Sequence, residues 1–284
     1  LFAVRQNIKT GEKGIRISKK VDIQPYLGSF SYELTGAQRR CIEEIEGDLE
    51  SSRAMNRLVQ GDVGSGKTAV AEAAMYKAVR GGCQAVMMAP TEILAHQHFE
   101  GLRKSFAAHG IRVGFLSGSL KASEKREILE QLKDGQIDIL VGTHAVIQPE
   151  VEFARLGLVI TDEQHRFGVN QRIRLKEKGQ NPNVLVMTAT PIPRTLAAVL
   201  YGDLDVSVLD EMPPGRQVIK TRNVTGEKRE ACYDFVEKQL QQGRQAYVVT
   251  PLIEDSDTLD LKSAQTVYEE LEKRFAENKV ALIH

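Results

Sequence analysis

The chain has 284 residues, enough for one large domain or two smaller ones. Hydrophobic residues make up 42% and charged residues 27%, the balance of a soluble globular protein, and no apolar run is long enough to span a membrane. Lys plus Arg equals Asp plus Glu at 38 each, so net charge singles out no polyanionic partner, although a local basic cleft on a neutral protein is not excluded.

Residues 1–32 place six basic residues in the first twenty (Arg5, Lys9, Lys13, Arg16, Lys19, Lys20) with little apolar periodicity. They read as a connecting segment: a solvated lead-in, with a nucleic-acid arm as the alternative. Thr35 to Leu49 follows as a helix with Ile42, Ile45 and Leu49 on one face. Arg57 to Gln60 is a short strand candidate. It runs into Gly61-Asp62-Val63-Gly64-Ser65-Gly66-Lys67-Thr68, a complete G-x-x-x-x-G-K-[ST] loop, and then into the helix former Ala69 to Val79. Strand, glycine loop and helix form the setting in which backbone N–H groups and a helix N-terminus converge on a phosphate. There Lys67 reaches the β- and γ-phosphates of ATP and the Thr68 hydroxyl takes Mg²⁺.

Further strand candidates are residues 84–89, 113–116, 137–141, 156–160 and 184–187, with helical stretches at Ile93 to Ala107 and Ser123 to Lys133. Short, nearly continuous apolar strands alternating with helices predict an α/β fold, a mostly parallel sheet covered on both faces. In such sheets ligands sit at the carboxyl ends of the strands. Asp210-Glu211-Met212-Pro213-Pro214-Gly215-Arg216 is a poor helix or strand and reads as a linker. Beyond it Val218 to Val224 and residues 246–249 read as strands, and Lys228 to Gln242 and Ser263 to Asn278 as helices, the opening of a second α/β domain. Cys41, Cys83 and Cys232 lack metal-ligand spacing, the pattern of reduced thiols in the cytoplasm. The sequence does not start with Met and ends at residues 280–284 in what reads as mid-strand, the layout expected of a piece cut from a longer protein.

The remaining polar motifs cluster at strand ends. Asp162-Glu163-Gln164-His165 follows an apolar strand; Asp162 suits Mg²⁺ and Glu163 the polarisation of an attacking water, against the alternative of an acidic strand cap. Thr188-Ala189-Thr190-Pro191 follows the next strand, with two hydroxyls on a tight turn. Gln38, upstream of the loop, carries an amide that could read the edge of adenine, although a lone Gln is ordinarily a surface residue.

Together these residues resemble the superfamily 2 helicases and translocases. The stretches 61–68, Ala-Pro-Thr-Glu-Ile-Leu-Ala (89–95), Val-Gly-Thr-His-Ala (141–145), Asp-Glu-Gln-His-Arg-Phe-Gly-Val (162–169), Thr-Ala-Thr-Pro-Ile-Pro-Arg-Thr (188–195) and Asp-Glu-Met-Pro-Pro-Gly-Arg (210–216) are similar to the RecG branch-migrating DNA helicases. Transcription-repair coupling translocases share two of these stretches and form the alternative; Gln164 and the Pro-Pro-Gly-Arg linker favour RecG.

The resemblance implies two RecA-like P-loop domains: a first motor domain at 33–209, a linker at 210–217 and the start of a second motor domain at 218–284. An N-terminal wedge domain would precede residue 1, and the rest of the second motor, with the arginine that completes the ATP site, would follow His284. The resemblance further implies that Pro90, Thr91, Gly142, Thr143 and His144 touch the nucleic-acid backbone, with helix capping as the simpler role for Thr91. It implies that His165 couples the γ-phosphate to Thr188, Thr190 and Arg194, with core packing as the plain reading of His165. The implied ligands are ATP and Mg²⁺. The implied partners are branched DNA at stalled forks and Holliday junctions, acted on by a monomer, with single-stranded DNA-binding protein a partner for a full-length parent. An arginine finger supplies roughly 10³ to 10⁵ in rate, so this stretch alone is expected to bind Mg-ATP and turn it over slowly.

Overall fold

A computed structural model describes residues 14–162, 178–179, 181–190, 204–214, 219–250 and 264–283. The chain divides into two compact units, Leu1–Arg216 and Gln217–His284.

In the first unit, β1 (Asn56–Gly61), β2 (Gln84–Met88), β3 (Val113–Leu116), β4 (Ile139–Gly142), β5 (Leu156–Asp162), β6 (Asn183–Thr188) and β7 (Asp205–Leu209) form one sheet in the order β3-β4-β2-β5-β6-β1-β7. Every neighbouring pair is parallel. Parallel pairing requires crossovers, and α1 (Gln24–Leu27), α2 (Gly36–Leu49), α3 (Lys67–Arg80), α4 (Glu92–Ala107) and α5 (Ala122–Lys133) flank or connect the strands.

Side chains alternate across the strands, so each central strand feeds two cores. Val59, Met87, Ile139, Val141, Ile160 and Leu185 pack with α2, α3 and α4 on one face. Leu58, Val86, Met88, Leu140, Val159 and Val186 pack on the other with Leu132 of α5 and the short 3₁₀ turn His144–Ile147. The α/β sheet covered on both faces is therefore as the apolar strand pattern predicts. The edge strand β7 carries the weaker alternation Asp-Val-Ser-Val-Leu, and its Val206 sits beside Leu58 of β1.

The lead-in departs from expectation. Within its described part, residues 14–32, Ile17, Ile23 and Tyr26 are fully buried against α2, α3 and α4. Tyr26 stacks between Tyr76 and Phe106 at centroid distances of 4.9 and 5.0 Å. The segment is thus part of the first core rather than a solvated connection; three well-spaced apolar side chains suffice to pin a chain too irregular to show periodicity. At the other end, Arg40 of α2 holds Asp210 at 2.9 Å and Glu211 at 3.3 Å, where the proline-rich stretch begins.

In the second unit α6 (Arg229–Gln241) and α7 (Ala264–Arg274) pack through Val267, Leu271 and Phe275 against Tyr233, Val236 and Leu240. Arg274 adds ion pairs to Asp234 and Glu237 at 2.6 and 3.2 Å. The strands expected at 218–224, 246–249 and 280–284 do not form among the described residues. A strand exists only when a neighbour takes its N–H and C=O groups. Without that ladder Tyr247 is 83% and Val249 91% exposed.

Candidate nucleotide and nucleic-acid site

β1 delivers the chain to Gly61, and α3 starts at Lys67. Between them the loop turns through Gly64 (φ 77°) and Gly66 (φ 84°), left-handed conformations that cost a side chain 1–2 kcal/mol or more, to order of magnitude. A Cβ on Gly66 would lie 2.0 Å from Gln38 Nε2, and one on Gly61 would lie 2.5 Å from Ser65 Oγ, so close packing as well as φ requires glycine. The Lys67 ammonium donates to the carbonyls of Gly61 (2.8 Å) and Asp62 (3.1 Å), which holds it over the loop. No side chain caps the start of α3, leaving its positive end to the loop. Ser65 Oγ is fully buried and has no hydrogen-bond partner among the described residues. An orphaned hydroxyl beneath a glycine cradle, an ammonium above it and an uncapped helix suit a polyphosphate.

Gln38 lies against this loop. Its position as the third residue of α2 makes it half of a capping box: Thr35 N–H donates to Gln38 Oε1 at 2.9 Å, and Gln38 N–H donates to Thr35 Oγ1 at 3.2 Å. Gln38 Nε2 donates to the Ser65 carbonyl at 2.8 Å. The side chain expected at an adenine edge is 1% exposed and engaged through both its oxygen and its nitrogen. In this structure it braces the phosphate loop, because the T-x-x-Q spacing that starts a helix also buries the amide.

β6 separates β1 from β5, so the carboxyl ends of β1 and β5 lie about 10 Å apart, two inter-strand spacings. Asp162 ends β5 opposite Met187 of β6, and Thr188 ends β6 opposite Gln60 of β1. The three ends therefore run phosphate loop, Thr188, Asp162 along one edge. Thr188 Oγ1 accepts from the Thr190 N–H at 3.1 Å and meets Thr190 Oγ1 at 2.8 Å, a tight hydroxyl turn. Asp162 is not a free cap: Nε2 of His98, on α4, lies 2.8 Å from its Oδ2, and both side chains are 14% exposed. Thr161 Oγ1, one residue earlier, is buried without a partner among the described residues. A carboxylate at the carboxyl end of β5 and, on the same edge of the sheet, a Thr68 hydroxyl in the first turn of α3 are oxygen donors of the kind that suits a hard cation such as Mg²⁺. Glu163, His165 and Arg194 lie outside the described residues.

The nucleic-acid candidates occupy the other half of the same edge. Met88 of β2 pairs with Gly142 of β4, and Gly142 pairs in turn with Leu116 of β3, which sets the loops after these strands side by side. Thr91 is the N-cap of α4, its hydroxyl accepting from Leu94 N–H at 3.3 Å, so the capping role is real. Pro90 is half-buried and precedes the cap. A Cβ on Gly142 would lie 2.1 Å from the Leu116 carbonyl, which explains the glycine by close strand packing. Thr143 N–H donates to that same carbonyl at 3.3 Å, and the following 3₁₀ turn leaves the His144 side chain exposed.

The sequence reading missed several groups. Ser117 and Ser119, on the loop after β3, both donate to Glu92 Oε1 at the head of α4, the first at 3.2 Å. His98 was missed because its partner lies 64 residues away. Glu72, on α3, is buried and accepts from Tyr26 (2.8 Å) and Ser105 (3.1 Å). Burial lifts the Glu72 carboxyl above its ordinary range, more than these hydrogen bonds and the nearby His98 lower it. Burial and the facing Glu72 together push the Tyr26 phenol well up.

With this geometry in hand, comparison with known proteins finds a match of residues 35–199 to the DEAD/DEAH box helicase family. The ATP-dependent DNA helicase RecG of Streptococcus pneumoniae is 54% identical over 257 residues, 90% of this chain and 38% of the relative. That of Bacillus subtilis is 53% identical over 264 residues, 93% of this chain and 39% of the relative. A solved structure of RecG bound to a three-way DNA junction superposes with a TM-score of 0.80 at 44% identity, over 95% of this chain and 35% of that one. The parallel sheet with its glycine loop is a helicase domain of RecA-like fold. The chain spans under two fifths of the length of the relatives cited.

Proposed function

Because this chain belongs to the DEAD/DEAH box helicase family, we propose that it is the motor core of an ATP-dependent DNA helicase of the RecG type. Its work would be to couple ATP hydrolysis to branch migration and to the regression of stalled replication forks in the cytoplasm. The observation that carries this reading is the shared carboxyl edge, with the glycine loop and Asp162 on one half and the Pro90–Thr91 and Gly142–His144 loops on the other. One helix and one sheet thereby connect a nucleotide site to a surface for a phosphate backbone.

In this reading Gly61, Gly64, Ser65 and Gly66 cradle the phosphates, and Lys67 leaves its loop carbonyls to pair with the β- and γ-phosphates. Thr68 and Asp162 hold Mg²⁺, which when bound neutralises charge on the phosphate oxygens. Glu163 orients and deprotonates the attacking water. His165, Thr188, Thr190 and Arg194 sense the γ-phosphate. Gln38 holds Ser65 in place and approaches adenine only if its amide is released. Pro90, Thr91, Gly142, Thr143 and His144 contact DNA backbone, which positions without reading sequence. The partner is branched DNA, bound by a monomer, and a single-stranded DNA-binding protein is a further partner for a longer parent chain.

The test is ATP turnover by a full-length protein containing this chain, measured with a three-way junction, with linear duplex and without DNA. The reading expects the junction to stimulate turnover most, and expects the 284-residue chain assayed alone to bind nucleotide with little turnover. Equal stimulation by linear duplex would contradict the branched-DNA assignment and favour a double-strand translocase.

A further inference from the structure

We infer that His98 is a positioning residue for Asp162, and that α4 ties the metal carboxylate to both the nucleic-acid loop and the phosphate-loop helix. The inference rests on the reading of Asp162 as a metal ligand.

Thr91, His98 and Ser105 stand seven residues apart. Seven residues fall just short of two helical turns, so the three side chains share one stripe that drifts about 20° per step. Polar stripes on helices ordinarily face water. This one turns inward beyond its first member: Thr91 is exposed at the helix start, whereas His98 and Ser105 are partly buried and each meets a side chain of another element. Thr91 caps α4 at the edge carrying the nucleic-acid candidates. His98 Nε2 meets Asp162 Oδ2 at 2.8 Å, with both side chains largely buried. Ser105 donates to Glu72 on α3 at 3.1 Å, and Tyr26 of the lead-in closes the cluster with contacts of 2.8 Å to both. Glu72 in turn sits within electrostatic reach of His98. α3 is the helix that begins at Lys67.

A carboxylate is an acceptor, so the facing ring nitrogen is the donor. Holding one oxygen fixes the rotation of the carboxylate plane and aims the other oxygen, Oδ1, as the atom a cation would take. Partners of this kind behind a metal ligand set its orientation, and losing one costs about 10- to 100-fold in metal affinity. The stripe also ties Asp162 to the anchor of Thr91, so a shift of α4 at the DNA edge would move the metal ligand with it.

The test uses this chain and a fluorescent, non-hydrolysable ATP analogue titrated at increasing Mg²⁺ and in EDTA, so that no turnover is needed. His98→Ala is expected to raise the Mg²⁺ needed for half-maximal binding about 10-fold, the lower end of that range. Binding in EDTA should change by less than about twofold, and His98→Gln, which keeps an N–H donor, should recover most of the loss. Asp162→Ala is the control for the underlying reading. If Asp162→Ala shifts the Mg²⁺ dependence and His98→Ala does not, His98 only packs and the inference is wrong. An equal loss by His98→Ala with and without Mg²⁺, unrelieved by Gln, would likewise reduce it to a structural residue. An Mg²⁺ dependence untouched by Asp162→Ala would instead remove the metal role of Asp162 itself.

Discussion

Residues 184–187, Val-Leu-Val-Met, and residues 246–249, Ala-Tyr-Val-Val, are equally good β-formers, yet their fates differ. The first lies in β6 between β5 and β1, with every residue of the strand buried. The second pairs with nothing among the described residues and exposes most of its side chains. The contrast teaches that propensity nominates a strand but partners make it. In the first unit every strand has at least one partner and the five inner strands have two, and alternating side chains then fill two cores. In the second unit the described residues supply helices and the apolar segments without a ladder.

Substitutions can break or sharpen this contrast. The largest effect is expected from Leu185→Ala in β6, where a buried side chain leaves a cavity and the loss should be about 2–5 kcal/mol in urea denaturation of the first unit. Val249→Ala in the exposed segment should change stability by less than about 0.5 kcal/mol. Similar losses at the two sites would mean that the second segment is packed after all. Next comes Gly66→Ala, which meets both a left-handed φ and the Gln38 amide. It should cost more than about 1–2 kcal/mol and abolish nucleotide binding. A variant that binds nucleotide normally would show that the loop is looser than its packing implies.

The smallest effect concerns pH. Burial makes folded Glu72 hold its proton more tightly than the unfolded chain does. Its favourable contribution is therefore complete below the ordinary carboxylate value of 4.5 and is lost as pH rises through the higher folded value. Wild type should lose stability relative to Glu72→Gln as pH climbs from 4.5 through the higher folded value, followed by thermal melting of both proteins. A constant difference across that range would contradict the burial argument.

Much of the first unit was legible because its signals are local. Val113–Leu116 matches its expected span, α2, α4 and α5 start within one residue of expectation, and the glycine loop sits between strand and helix as its pattern requires. Other features depend on contacts that spacing cannot show. Tyr26 meets Glu72 from 46 residues away, so the lead-in looked unattached. Gln38 is also the third residue of a capping box, a signal present in the sequence that would have placed its amide inside. His98 looked like any polar residue on a helix until β5 brought Asp162 to it.

The central claim is that the loop at Gly61–Thr68 holds the phosphates of Mg-ATP. Calorimetric titration of Mg-ATP into this chain and into Lys67→Ala tests it most directly. Saturable one-to-one binding by the chain, lost in a folded Lys67→Ala variant, is the predicted result. Equal binding by the two, or no binding by the folded chain, would contradict it.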